Sequence, residues 1–258
     1  MKVSVVVPVF NQIHYTKIFV ESFLADDQRP ECELIIIDNN SSDGTFEYLE
    51  ALKEKYSWVE IIHNETNVGV APAWNQGIRA SKGDYIAILN NDIQVSKGWL
   101  HNLIWALDHH HLALVSPFAE VGPRIDYDFQ KRAKAFSLNN RFQVWDEYDF
   151  CAVLMPRSTF EKIGFFDENF QVGGYEDTDY CYRLNKENLG YGVSGASFIH
   201  HFGSQTLGAF KKAGDKHVPH NHSYFVSKWR RDPRSDTLHL SSKIKRSWRK
   251  FKLLFDRM

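Results

Sequence analysis

Cysteine is scarce in this sequence: Cys32, Cys151 and Cys181 are the three in 258 residues, and no two are close. An odd, scattered set supports neither a disulfide framework nor a cysteine zinc site, and it suits a reducing compartment. Long apolar runs are missing too. No stretch approaches the ~18 apolar residues that span a bilayer. The first apolar run, Val3–Val9, is too short for a signal-peptide core, so the expected location is the cytoplasm. There is no Gly-x-Gly-x-x-Gly after that first run, no Walker phosphate loop and no Gly-x-Ser-x-Gly elbow. Dinucleotide redox chemistry, ATP hydrolysis and α/β-hydrolase chemistry therefore lose support. Neither sign of charge is in large excess, the net value being -1. It is unevenly spread, however: residues 243–258 hold seven Lys/Arg against one Asp. The rest of the chain is acidic, which argues against a nucleic-acid binder.

What is present fits an ordinary globular chain. Hydrophobic residues make up 43% and charged residues 24%, enough to bury a core in one large domain. The aromatic fraction of 14% can line a sugar-stacking groove, but a well-filled core accounts for it more simply.

The first ninety residues alternate between two patterns. β-branched runs at 3–9, 33–37, 59–63 and 85–89 read as buried strands. Between them, 14–24, 45–55 and 71–80 carry helical spacing, as with Ile18, Phe19 and Phe23. This rhythm predicts an α/β fold, a mainly parallel central sheet with helices on both faces. Ligands in such sheets sit beyond the carboxyl ends of the strands. Polar clusters follow the strands here: Asn11, then Asp38 to Asp43, then Asn90-Asn91-Asp92. The second half is less regular. Residues 149–155 and 193–199 read as strands, and 158–163 and 177–186 as helices. In the last of these, Thr178, Asp179, Arg183 and Lys186 are expected to face solvent. Residues 118–148 show no pattern.

Three constellations can carry chemistry. Leu89-Asn90-Asn91-Asp92 puts a carboxylate just past a buried strand, where it costs desolvation unless a cation or donor meets it. Hard oxygen ligands suit Mg²⁺ or Mn²⁺, although Asn-Asn-Asp also makes a good strand-ending turn. Gly173-Gly174-Tyr175-Glu176-Asp177-Thr178-Asp179 places three acids in the first turn of a helix. Acids there complement the helix dipole, but the glycine pair also lets a ligand come close, and one carboxylate can take a proton from an attacking hydroxyl. His200-His201 ends a strand, so the two side chains are expected on opposite faces, one of them available to a metal. His109-His110-His111 reads as a helix end rather than a metal site. His217, His220 and His222 read as a loop able to close over a diphosphate, with Lys211, Lys212, Lys216 and Lys228 near in sequence.

Taken in order, these pieces resemble the inverting glycosyltransferases of family two, which have the GT-A fold. The resemblance rests on Val5-Val6-Val7-Pro8-Val9-Phe10-Asn11, Ile37-Asp38-Asn39-Asn40-Ser41-Ser42-Asp43-Gly44, Asn67-Val68-Gly69 with Asn75-Gln76-Gly77, Leu89-Asn90-Asn91-Asp92, Phe165 with Asp167-Glu168, Tyr175-Glu176-Asp177-Thr178-Asp179 and His200-His201. Tyr224-Phe225-Val226-Ser227-Lys228-Trp229 looks like a late motif of rhamnosyltransferase-like members. The resemblance covers about residues 1–230.

It implies a sugar transferred from a nucleoside-diphosphate donor, UDP- or dTDP-linked, to a hydroxyl of a glycan or lipid-linked acceptor. It also implies Mn²⁺ or Mg²⁺ held by Asp92 and His201, with His200 as the neighbouring alternative. Pro8, Phe10, Asn11, Asp38, Asn67, Asn75, Asn90 and Asn91 fall to the donor nucleotide, Asp38 through the base or ribose. Asp177 falls to the general base, and Gly174, Tyr175 and Glu176 to the acceptor. Asn90 departs from the family pattern, since it stands where the first acid of Asp-x-Asp belongs.

Residues 231–258 form a separate basic extension. Ile244, Trp248, Phe251 and Phe255 share a stripe beside Lys245, Arg249 and Lys252, as in helices that lie on a membrane surface. A peripheral site at the inner membrane face and packing on the body or a second subunit are the two readings. Two other functions compete with the transferase. A nucleotidyltransferase would want a basic Gly-rich loop after the first strand, which Pro8 to Gln12 does not offer. A non-catalytic carbohydrate- or nucleotide-binding protein on a degenerate GT-A fold draws on Asn90.

Overall fold

The computed structural model describes residues 2–147, 149–203 and 217–233. The basic stripe of 241–258 and the lysines at 211, 212 and 216 lie outside the described residues. Four strands come first: β1 (Val3–Val9), β2 (Cys32–Asp38), β3 (Val59–His63) and β4 (Tyr85–Leu89). Helices α1 (Ile13–Leu24), α2 (Thr45–Lys55) and α3 (Val70–Ala80) connect them. They pair in parallel, as the alternation predicts, and their order is β3-β2-β1-β4. The β1–β4 ladder runs only from Val3 to Val6. Pro8, which has no N–H to give, therefore sits beyond it and disrupts nothing.

The second half turns the sheet mixed. It supplies β5 (Ile93–Val95), α4 (Trp99–His109), β6 (Leu114–Val121), α5 (Phe129–Asn140) and β7 (Val144–Trp145). Then come β8 (Ala152–Pro156), α6 (Arg157–Ile163), α7 (Glu176–Lys186), β9 (Tyr191–His201) and α8 (His217–Trp229). β8 enters antiparallel between β4 and β6, while β9 pairs parallel with β6 and antiparallel with β5 and β7. The supposedly patternless residues 118–148 thus hold the second half of β6 and all of α5 and β7. Their third hydrophobic cluster, Phe118, Phe129, Ala133, Val193 and Phe198, forms only when α5 lies on β6 and β9. A weakly amphipathic helix of this kind gets its stability from tertiary contact, so its own sequence signals it poorly. The segment 217–229, expected as a loop, is helical and packs Phe225 and Trp229 against Tyr182 of α7.

Alternation along each strand divides the core. Val3, Val5, Val7 and Val9 join Phe19, Phe23 and Trp99 on one face, while Val6, Ile35 and Ile37 join Trp74 and Tyr180 on the other. Trp74, Trp99, Tyr180, Phe19 and Phe23 are among the largest fully buried side chains, so much of the aromatic surplus is core. α3 lies so close that a β-carbon on Gly77 would overlap the side chains of Val6 and Ile37. No helix among the described residues is long and apolar enough to cross a membrane.

Candidate active site

The polar clusters gather at the carboxyl ends of β1, β2 and β4, beside the point where the strand order reverses. After β1 the chain turns through Asn11 and Gln12, both left-handed, with φ 53° and 64°. The Asn11 N–H donates to Ser41 Oγ at 2.8 Å, and the Ser42 N–H donates to Asn11 Oδ1 at 2.8 Å. The loops after β1 and β2 are therefore tied together, with Phe10 half-buried beside them. Asn67 lies exposed and its Oδ1 accepts from the Gly69 N–H at the start of α3.

Three expected donor ligands turn out to serve the protein itself. Asp38 is fully buried. His63 Nδ1 lies 2.8 Å from its Oδ2, and the Ser41 N–H donates to it. No ligand reaches that carboxylate unless His63 or Ser41 moves. The exposed group at this place is the His63 ring, which the sequence reading passed over. Asn75 is 1% exposed. Its Nδ2 donates to Phe166 O at 2.9 Å and Glu168 Oε1 at 2.7 Å, and its Oδ1 accepts from the Phe166 N–H at 3.0 Å. Asn75 is thus a brace between α3 and the 166–168 segment rather than a nucleotide contact. Replacing it by alanine strands two buried backbone groups, at ~1–3 kcal/mol for each group left unpaired. Urea unfolding of Asn75→Ala should show that loss, while calorimetry finds UDP affinity unchanged. Asn91 is also buried, and its Nδ2 donates to Thr16 Oγ1 of α1 at 3.0 Å.

Asp92 follows at the start of β5 with little exposure, 3%. β5 runs against the end of β9 with Ile93 opposite His201, and His201 Nε2 comes 3.2 Å from Asp92 Oδ1. Both histidines are buried, but only His201 meets Asp92. His200 is held elsewhere: its Nε2 is 2.9 Å from Gly122 O and its Nδ1 3.3 Å from Tyr127 Oη. Tyr127 Oη donates to Glu120, and Arg132 of α5 pairs with that same carboxylate. Burial lowers the proton affinity of His200. The stretch without sequence pattern is what fixes His200 away from Asp92, leaving His201 the better metal candidate.

The donor set suits a hard or borderline divalent cation, one carboxylate oxygen and one imidazole nitrogen. The two atoms meet directly, 3.2 Å apart, close enough that both could bind one cation. Among the described residues there is no group of three or more His, Cys, Asp or Glu placed to hold a metal. Diphosphate oxygens and water could supply further ligands to a cation here, as they commonly do for Mg²⁺. Asn90, half-buried beside the pair, donates its backbone N–H to Cys151 O at 2.9 Å.

α7 begins at Glu176, after Tyr175 in the left-handed region (φ 77°). The Tyr175 ring packs toward α8, 5.6 Å from His222 and 5.9 Å from Phe225. Asp177 is half-buried, and the Thr178 N–H and hydroxyl both donate to its Oδ1. Glu176 is buried, with Oε2 unpartnered. Burial, and then the neighbouring Asp177 charge, raises its carboxyl above the usual range. Glu176 therefore holds its proton more tightly than an ordinary carboxyl. Asp179, expected at the surface, is fully buried, and Thr178, expected there too, is largely buried. Its carboxylate takes Arg183 at 3.0 Å, the Trp229 indole N–H at 2.8 Å and Lys228 at 2.6 Å. It therefore anchors α8. A separate hollow of about 520 Å³ beside Lys2, Arg29 and Trp58 opens at the amino ends of β1 and β2, the opposite edge from this rim.

Comparison with known proteins bears on this rim. The family model for glycosyl transferase family 2 matches residues 4–166. The chain is similar to glycosyltransferase GlyG of Streptococcus pneumoniae, with 34% identity over 101 residues, 39% of this chain and 33% of that one. It is also similar to TuaG of Bacillus subtilis, provisionally named a teichuronic acid biosynthesis glycosyltransferase. There identity is 34% over 90 residues, 35% of each chain. The alignments thus span about a third of each relative's length. Among solved structures, GalNAc-T7 with UDP, GalNAc and Mn²⁺ superposes with a TM-score of 0.69 at 16% identity, covering 89% of this chain and 48% of that one. The shared fold is GT-A.

Proposed function

The chain belongs to glycosyl transferase family 2, and from that premise we propose that it moves one sugar from a nucleoside diphosphate to an acceptor hydroxyl, with inversion, in the synthesis of a surface polysaccharide or glycoconjugate. The observation that carries the reading is the Asp92–His201 contact, which unites two chain segments at the rim where nucleotides bind in such sheets. The Mn²⁺ and UDP in GalNAc-T7 support a metal-bound UDP- or dTDP-sugar for this chain as well.

Asp92 and His201 are the residues that would hold the cation. When bound, a divalent ion offsets the negative charge that develops on the departing diphosphate. Asp177 accepts the proton of the acceptor hydroxyl as its oxygen attacks the anomeric carbon. The bond from that carbon to the diphosphate oxygen breaks, and one displacement inverts the centre. Glu176, favoured in its protonated form, is suited to donate a hydrogen bond to a sugar oxygen near Gly174. Asn11 and Phe10, with the exposed His63 and Asn67, line the side of the rim assigned to the nucleoside. Hexosyl or deoxyhexosyl transfer is the class proposed, and docking at the inner membrane face through the basic extension is proposed with it.

The second reading, nucleotide binding without catalysis, draws on Asn90 in place of an acid and on a pair of ligands rather than three. Incubation with UDP-, dTDP- and GDP-sugars plus Mn²⁺ separates the two. The transferase slowly releases nucleoside diphosphate and free sugar from one of them. Binding without release favours the second reading, and absence of both overturns the proposal.

A further inference from the structure

Four backbone groups of the turn before Glu176 and Asp177 bond to one side chain, and one of the four, Gln171 O, also accepts from the Gly173 N–H. Asn221 of α8 is fully buried. Its Oδ1 accepts from the Gln171 N–H at 2.9 Å. Its Nδ2 donates to Gln171 O at 2.8 Å, Gly174 O at 3.0 Å and Gly173 O at 3.3 Å, three acceptors sharing two protons.

The turn needs such a hold. Val172, Gly174 and Tyr175 adopt φ of 54°, 106° and 77°. Glycine accepts this readily, but a β-branched valine does so only where its surroundings leave no alternative. The opposite side is held as well. Val172 O accepts from the Val70 N–H at 2.8 Å, and a β-carbon on Gly69 would lie 3.1 Å from Val172 N. The turn is pinned between the start of α3 and the Asn221 amide. α8 has other anchors that do not touch the turn: Lys228 and Trp229 on Asp179, and Tyr224 Oη donating to Asp167 at 2.9 Å.

We propose that Asn221 is a positioning residue that fixes where α7 begins and so sets the location of the Asp177 carboxylate; the inference rests on Asp177 as general base. Asn221 acts through the backbone of residues 171–174 and touches no reacting atom. A reacting group displaced by about 1 Å can cost ~10²-fold in rate. Loss of the amide should therefore act on turnover rather than on donor affinity.

The test compares full-length Asn221→Ala, Asn221→Ser and Tyr224→Phe with wild type. The substrate is whichever UDP-, dTDP- or GDP-sugar wild type turns over. Asn221→Ala should lower kcat by ~10–100-fold, with donor KM within about threefold. Amide exchange across 171–176 should quicken by at least about tenfold while β1 and β2 keep their protection. Tyr224→Phe, which loosens α8 away from the turn, should lower Tm but leave kcat within about twofold. Asn221→Ser, which keeps a small polar group, serves if alanine does not fold. Native exchange at the turn, or undiminished kcat in a folded variant, overturns the proposal. If wild type turns over no donor, the transferase reading falls and exchange alone decides about the clamp. If Asp177→Asn stays active while Asn221→Ala does not, the base assignment fails and the turn positions another group.

Discussion

Asp177→Asn is expected to bind nucleotide as wild type does and to turn over ~10²–10⁴-fold more slowly, the usual worth of a positioned general base. The substitution is conservative in structure. Thr178 donates its N–H and hydroxyl to Asp177 Oδ1, and an asparagine carbonyl accepts both. An amide cannot take the acceptor's proton, so the loss should fall on kcat. Glu176 is poorly placed to substitute. Its carboxyl is buried with one oxygen unpartnered, and burial is the first cause of its raised pKa, so removing the Asp177 charge leaves that cause in place. The measurement is steady-state transfer or donor hydrolysis alongside UDP calorimetry. Near-normal turnover removes Asp177 from the mechanism.

Asp92→Ala should abolish the metal-dependent part of donor binding. Loss of even an outer partner of a metal site lowers affinity by ~10–100-fold, and loss of a ligand from a pair should cost at least that much. The fold should survive. The substitution removes a buried carboxylate and adds no charge. Titrating UDP with and without Mn²⁺ gives the answer. Wild type should bind more tightly with the ion and lose the gain on chelation, whereas Asp92→Ala should bind equally weakly in both conditions. A Mn²⁺ effect of unchanged size in the variant would take Asp92 out of the metal site.

The two experiments probe different parts of the proposed step. Asp92 acts on the leaving diphosphate and Asp177 on the incoming hydroxyl, so one variant should fail in binding and the other in turnover. A protein that only binds nucleotide would respond to the first substitution and have no turnover for the second to change.

Much of this was legible before any coordinates. Apolar, β-branched runs closed by turn residues predict β1, β3 and β4, and helical spacing predicts α2, each with the bounds the fold shows. Burial on both faces and turn formation are local properties, visible in short windows. The ordered motifs also point to the family, and the rim carries the clusters expected of it. Where the reading missed, the deciding partner was far away in sequence. Asp179 reads as a surface acid in an amphipathic helix, but it is buried because Lys228 and Trp229 arrive from α8. Asn75 reads as a nucleotide contact, but Phe166 and Glu168 claim its amide.

The sequence by itself determined the strands and helices of the first ninety residues, their parallel pairing and the acids and histidines available at the rim, because hydrophobic period and turn chemistry act between near neighbours. Only the tertiary structure decided which of them meet: His201 rather than His200 against Asp92, Asp38 sealed behind His63, and Asn221 behind the turn that leads to Asp177. A buried polar group must be paired wherever a partner can be found, and in a mixed sheet that partner arrives through strand pairing and helix docking, which no window of the sequence contains.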